Sequence, residues 1–358
     1  MSEKILLKGN ELLAEAAVRA GCRFFAGYPI TPQNEIPEYL SWRLPQIGGT
    51  FIQAESEIAA INMLFGASAA GARCMTSSSS PGISLKQEGI SYITAAELPC
   101  VIVNMVRGGP GLGNIRAAQS DYFQAVKGGG HGDYRLIVLT PGTLQEVYDL
   151  TMAAFDYADH WRNPVLILGD GILAQMAEPV EMEPYRPIVD LPAKDYVLDG
   201  CRGRKPRVVK TLILRPNLGL IDHNAHLQEK YRAIEKAIQL CEEYEVADAE
   251  IVIAAYGITG RIAKGAVKMA RRKGIKVGLI RPISVWPFPK EPLMKAAQTA
   301  KRFLVVEMSE GQFIEDVKLA IECKRPVDFF GKGGGWYPTQ ESILEKIEQM
   351  AGRQGGTK

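Results

Sequence analysis

What the sequence lacks narrows it first. No apolar run approaches the roughly 20 residues that a bilayer crossing needs, and Met1-Ser2-Glu3-Lys4 lacks the basic-then-apolar build of an export signal. A cytoplasmic address is expected, with no membrane partner. Charge of one sign is scarce too: the net is +2, and the aromatics are not interleaved with a basic stripe, so no nucleic-acid partner is expected. The six cysteines, Cys22, Cys74, Cys100, Cys201, Cys241 and Cys323, stand singly with no C-x-x-C, which excludes a thiolate ligand set for zinc or an iron–sulfur cluster. Most read as small core residues in a reducing compartment, and any thiolate-held redox centre must belong to another chain. No Walker lysine occurs. The glycines from Gly108 to Gly113 do not spell G-x-G-x-x-G and do not follow a first strand, so a dinucleotide site is not expected. His223 and His226 are spaced for a metal on a helix, but nothing flanks them to complete a shell, and a loop or interdomain role fits better.

What is present suffices for two cores: 358 residues, 46% hydrophobic and 23% charged. Asn10 reads as a helix N-cap, followed by one apolar face, Leu12, Leu13, Ala16, Ala17 and Ala20, and stopped by Gly21. Apolar strands are predicted at 23–26, 50–53, 73–77, 100–105, 136–140 and 165–169, with helices over 57–70, 84–97 and 143–158. Crossovers of this length point to a parallel sheet with helices on both faces. Beyond Gln175, Pro179, Pro184, Pro187 and Pro192 punctuate a polar connector that runs into the basic stretch Arg202 to Lys210. A helix over 227–245 then opens a second alternating unit with strands at 251–256, 276–280, 303–307 and 327–330 and helices at 259–273, 290–299, 312–323 and 339–350. The fold class is α/β, with two open parallel-sheet domains.

Ligands of such sheets collect beyond the carboxyl ends of the strands. That rim gathers Thr31 in Tyr28-Pro29-Ile30-Thr31-Pro32, Glu55 and Glu57, the Ser77–Pro81 loop and Arg107. A hydroxyl, a carboxylate, a polar loop and a guanidinium suit an anionic carbonyl substrate beside a heterocycle. Each has a plainer reading: a stiff loop for the proline segment, macrodipole partners for the two acids, a surface charge for Arg107. His131, in a Gly-rich loop, is open as a substrate contact, and the basic stretch as a solvated face, an interface or a coenzyme site. Gly169-Asp170-Gly171 opens the metal–diphosphate motif of thiamine diphosphate enzymes, but the asparagine that completes it is missing: the next is Asn217. No metal site is expected on this chain.

Gly27 to Pro32, Gln53-Ala54-Glu55-Ser56-Glu57-Ile58-Ala59-Ala60, Thr76 to Leu85, Glu97-Leu98-Pro99-Cys100-Val101 and Arg107-Gly108-Gly109-Pro110-Gly111-Leu112-Gly113 resemble the alpha subunit of 2-oxoacid:ferredoxin oxidoreductases, nearest the separate-subunit enzymes for 3-methyl-2-oxobutanoate and 2-oxoglutarate. The resemblance implies a pyrimidine-binding thiamine diphosphate domain over 1–178, an extended connector over 179–226 and a transketolase C-terminal-like domain over 227–358. It implies that Glu57 hydrogen-bonds the pyrimidine N1′ as the catalytic acid, with Glu55 as its rival. Tyr28, Pro29, Ser80 and Gly82 would line the cofactor, while Thr31 and Arg107 would hold the substrate. A beta subunit would supply the diphosphate and magnesium site and an iron–sulfur cluster; gamma and ferredoxin-like delta subunits, coenzyme A and ferredoxin complete the expected partners. A split non-oxidative thiamine diphosphate decarboxylase or ketolase, or a non-catalytic scaffold, are the alternatives.

Overall fold

The computed structural model describes residues 4–201, 203–213 and 219–352. Strand β1 (Lys4–Lys8) turns directly into helix α1 (Gly9–Arg19). Asn10 is not the cap. It lies fully buried inside the first turn, where its amide donates to the Pro32 carbonyl (2.8 Å) and the Glu35 carboxylate (2.7 Å), while the Lys8 N–H donates to Glu11 at the helix start. The expected apolar face of α1 is fully buried.

The first sheet is built from β2 (Phe24–Gly27), β3 (Thr50–Gln53), β4 (Cys74–Ser78), β5 (Val101–Val106), β6 (Ile137–Leu139) and β7 (Val165–Asp170), with α2 (Glu35–Gln46), α3 (Glu57–Ala69), α4 (Ser80–Ala95), α5 (Tyr122–Lys127) and α6 (Leu144–Trp161) between them. These six strands are all parallel, as their crossovers require. Helix α2 is absent from the sequence reading because Pro37 and Pro45 interrupt its period, yet Ile36, Leu40 and Leu44 bury one face of it. After α7 (Gly171–Gln175), β8 (Ala177–Glu181) runs antiparallel to β1, from Lys4 opposite Glu181 to Lys8 opposite Ala177.

The later half adds α8 (Gly219–Ala237), β9 (Cys241–Tyr244), β10 (Ile251–Ala254), α9 (Gly257–Arg272), β11 (Val277–Pro282), β12 (Ser284–Trp286), α10 (Lys290–Thr299), β13 (Arg302–Glu307), α11 (Phe313–Ala320), β14 (Val327–Gly331) and α12 (Gln340–Met350). The second sheet has the order β14-β13-β10-β11-β9, parallel except for the edge strand β9. The helix expected over 227–245 therefore stops early: Cys241–Tyr244 is strand, which aims Glu242 at Arg281 (2.6 Å). Short β12 leaves its own unit and closes the first sheet beside β6, antiparallel, so that the order there is β12-β6-β7-β5-β4-β2-β3. One apolar core runs from Val101 and Ile167 of the first sheet to Val252, Ile280 and Phe303 of the second. A separate cluster, with Ile253, Val267, Ile343 and Ile347, backs the second sheet alone.

Only half of the cysteines are the expected core residues. Cys22, Cys74 and Cys100 are buried, Cys241 is half-buried, and Cys201 and Cys323 are exposed. Among the described residues no helix is long and apolar enough to cross a membrane, and no cluster of three His, Cys, Asp or Glu residues could hold a metal.

Candidate active site

The rim is set by where the strands stop. β2 ends at Gly27, and the chain then exposes Tyr28 (39%) and Pro29 before Thr31, which is half-buried and accepts from the Asn34 amide at 3.4 Å. β3 ends at Gln53, and Ser56 caps α3 by accepting from the Ala59 N–H (3.2 Å). The cap separates the two rival acids. Glu55 lies exposed in the turn, whereas Glu57, the first residue of α3, is buried to 6% exposure.

What buries Glu57 is the next helix. α4 begins at Ser80, four residues before the expected start, because Pro81 is pre-set for a first helical turn. That puts Gly82 against the carboxylate: a Cβ there would lie 2.6 Å from Glu57 Oε1 and would overlap Ser78 Oγ. No described residue donates a hydrogen bond to Glu57, and the buried hydroxyls of Ser78 and Ser79 also have no partner. Glu57 and the Ser78 hydroxyl thus flank Gly82 without bonding to each other. Buried polar groups in that condition call for a partner from outside the chain, water or ligand.

Arg107 closes the other side. It is not a surface charge but is buried, at 6% exposure. Its Nη1 donates to the Thr31 carbonyl (3.0 Å) and its Nη2 to the Leu112 carbonyl (3.1 Å), while Nε is buried with no partner. Its backbone N–H donates to Ser80 Oγ (3.1 Å), which donates back to the Arg107 carbonyl (3.3 Å). The Ser80 N–H donates to Asn104 Oδ1 (3.1 Å), and the Asn104 amide donates to Asp121 (2.8 Å). Ser80 therefore joins the Glu57 side of the rim to the Arg107 side. Burial raises the Asp121 carboxyl above its ordinary value, against the hydrogen bonds of Ser80 and Asn104.

Thr31, Glu57, Ser80, Gly82 and Arg107 are thus linked by the loops that follow β2, β3, β4 and β5. His131 is not drawn in: it is exposed, its ring meets Tyr92 edge-on at 6.3 Å, and no hydrogen bond joins it to Thr31, Glu57 or Arg107. His223 and His226 contact the Ala95 carbonyl (2.8 Å) and Glu97 (3.0 Å), which clips α8 to the end of α4. Asp170 accepts from the Ile172 and Leu173 N–H groups at the start of α7, and burial pushes its carboxyl up to about 6. Of the basic stretch, Arg202 lies outside the described residues; Arg204 and Arg207 both donate to the Val197 carbonyl. The sequence reading missed Lys86, Asn104 and Asp121. A lysine one turn after Gly82, on the apolar face of α4, was a usable signal for the first; for the other two no local signal existed.

Residues 15–246 match the family model described as pyruvate flavodoxin/ferredoxin oxidoreductase, thiamine diP-binding, and residues 249–343 match pyruvate:ferredoxin oxidoreductase core domain II. The chain is 51% identical over 347 residues to the ketoisovalerate oxidoreductase subunit VorB of Methanothermobacter marburgensis, a match covering 97% of this chain and 98% of that one. It is 38% identical over 362 residues to the 2-oxoglutarate synthase subunit KorA of Methanocaldococcus jannaschii, covering 95% and 98%. Among solved structures, 2-oxoglutarate:ferredoxin oxidoreductase from Magnetococcus marinus is similar at a TM-score of 0.87 and 27% identity, covering 97% of this chain and 65% of that one. A split-gene transketolase tetramer, at a TM-score of 0.60 and 14% identity, shares the fold. The fold is a two-domain α/β thiamine diphosphate fold, and the chain belongs to the 2-oxoacid:ferredoxin oxidoreductase family, as one of its thiamine diphosphate-binding subunits.

Proposed function

We propose that this chain is the alpha subunit of a thiamine diphosphate-dependent oxidoreductase that decarboxylates a branched-chain 2-oxo acid of the 3-methyl-2-oxobutanoate kind and passes its electrons to ferredoxin. The observation that carries the reading is the Glu57 carboxylate, buried at a strand-to-helix turn against Gly82 and Ser78 with no hydrogen-bond donor among the described residues. A flat heterocycle with ring nitrogens and an amino group fits that donor set: Glu57 meets a ring nitrogen, and the unpartnered Ser78 and Ser79 hydroxyls offer further bonds. When bound, the cofactor supplies the electron sink for carbon dioxide loss from the keto acid.

The chain's own residues then have separable tasks. Glu57 holds or shares the proton at the ring nitrogen. Tyr28 and Pro29, exposed at the lip, wall the cofactor, and Gly82 leaves the room that its ring requires. The Arg107 guanidinium, fixed by two carbonyls, keeps one N–H free for a substrate carboxylate, and Thr31 presents its hydroxyl beside it. Ser80 holds the Arg107 backbone in place.

Branched-chain specificity is supported by the higher identity to the ketoisovalerate subunit (51%) than to the 2-oxoglutarate subunits (36–38%). It is supported too by the rim, where among the described residues Arg107 is the one cation hydrogen-bonded to Thr31 and Ser80. We assign the domains to 1–178 and 227–358, with 179–226 between them, a segment into which the end of β8 and the start of α8 extend. The partners we propose are a beta subunit with the diphosphate, magnesium and iron–sulfur sites, gamma and delta subunits, coenzyme A and ferredoxin, in the cytoplasm. The test is purification with native partners followed by viologen reduction across a panel of 2-oxo acids with coenzyme A. Branched acids should turn over fastest; preference for 2-oxoglutarate would overturn the substrate assignment, and no reduction with any acid would overturn the function.

A further inference from the structure

α3 and α4 cross where α4 carries two glycines. A Cβ at Gly82 would lie 2.6 Å from Glu57 Oε1, and one at Gly89 would lie 2.5 Å from Ile61 Cγ2. Lys86 stands between them on the same face, one turn beyond Gly82, and is fully buried. A lysine with no exposure needs a partner for its charge. Its Nζ donates to Thr76 Oγ1 (2.5 Å) and to the Ser77 carbonyl (3.2 Å), both neutral, and the Thr76 hydroxyl itself donates to the Ala26 carbonyl.

The elements packed around Lys86 leave one candidate counter-charge. α3 contributes Glu57; β4 contributes the Cys74 thiol, which burial holds well above its ordinary value and hence neutral; β2 and β5 contribute no titratable group. On α4 itself Glu88 is exposed and accepts from the Tyr92 hydroxyl. Burial pushes the Lys86 amine down to about 7, with Glu57 opposing the fall. This amine therefore gives up its proton more readily than an ordinary lysine.

We propose that Lys86 is a positioning residue for Glu57: its buried amine and that carboxylate, with no hydrogen bond between them, act as one charge-coupled pair, so that seating a ring nitrogen on Glu57 drives a proton off Lys86. The inference rests on the reading of Glu57 given above. The step balances simply. One N–H bond of the ammonium breaks, its electron pair stays on Nζ, and the proton leaves to buffer, because a Glu57 that shares a proton with the ring nitrogen no longer supplies the full negative charge that held it.

Calorimetry of thiamine diphosphate with magnesium binding to the cofactor-stripped native complex, at pH 7 in buffers of different protonation heat, counts the protons exchanged. The wild type should take up measurably fewer protons per cofactor than Lys86→Met, with Lys86→Gln giving the same offset. Equal counts in all three overturn the pair while leaving the Glu57 reading intact, whereas a wild type that binds no cofactor overturns both. A second readout needs no Lys86 variant. A depressed amine means that the unfolded chain binds more protons between pH 7 and the ordinary lysine range, so stability rises with pH across that window. In Glu57→Gln that rise should begin at lower pH, because Lys86 has lost its counter-charge. An unmoved onset, read from melting temperature against pH, overturns the proposal.

Discussion

Glu57 owes its burial to Gly82 rather than to its own helix, which makes the site sensitive to a single methyl group. Gly82→Ala should displace the carboxylate and Ser78 together, cost about 1–3 kcal/mol of stability through overpacking and reduce turnover in the assembled enzyme. Thermal melts and steady-state rates on the same preparation check both parts. Glu57→Gln keeps the size and removes the proton chemistry, so kcat for ferredoxin or viologen reduction should fall roughly 100-fold to 10,000-fold with little loss of assembly. Arg107→Lys should raise KM for the 2-oxo acid roughly 10-fold or more, since a flexible ammonium cannot keep both carbonyl contacts and still offer a fixed N–H. Glu55→Gln, in the exposed turn, should leave kcat nearly unchanged and so separate the two acids.

Between elements, Gln119 does the joining. Its side chain donates to the Tyr256 carbonyl (3.1 Å) and accepts from the Met308 N–H (3.0 Å) and the Thr259 hydroxyl (3.2 Å), while its backbone N–H donates to the Met308 carbonyl (2.8 Å). Gln119→Ala would strand the buried Met308 N–H, since Thr259 and the Tyr256 carbonyl keep each other, and should destabilise the chain by about 1–3 kcal/mol, measurable by denaturant titration. At this scale it also becomes clear what a sequence can and cannot disclose. The six parallel strands of the first sheet were legible because each is a short apolar run between turn residues, and Thr50–Gln53 and Lys290–Thr299 coincide with the reading to the residue. α2 was hidden by its prolines, β9 by its acids, which resemble helix surface, and β12 by its length of three residues. Thr31, Glu57, Ser80, Gly82 and Arg107 could be named from their motifs, but the sequence held no trace of the unpartnered hydroxyls or the Asn104–Asp121 support, because these depend on which loops meet.

In the whole molecule, α8 is held to the first sheet by ions as well as by apolar contact. Burial pushes the Glu97 carboxyl up, but Lys230 and His226 outweigh it and hold Glu97 below its ordinary range. Lys230 is itself pushed down, since its own burial exceeds the pull of Glu97, so the pair contributes less than the acid alone suggests. A depressed carboxyl contributes stability above the ordinary carboxylate range and loses it as pH falls through the depressed value. Acid should therefore loosen this clip, and Glu97→Gln should flatten the acid limb of melting temperature against pH relative to the wild type.

The three-residue strand at Ser284–Trp286 has a consequence for how the polypeptide could be divided. Because a piece from the far half completes the hydrogen-bonded edge of the near half, a nick in the proline-rich stretch should not release two bodies. Co-expressed as separate halves broken between Pro187 and Lys210, the fragments should find each other and elute together, and deletion of that strand should weaken their association.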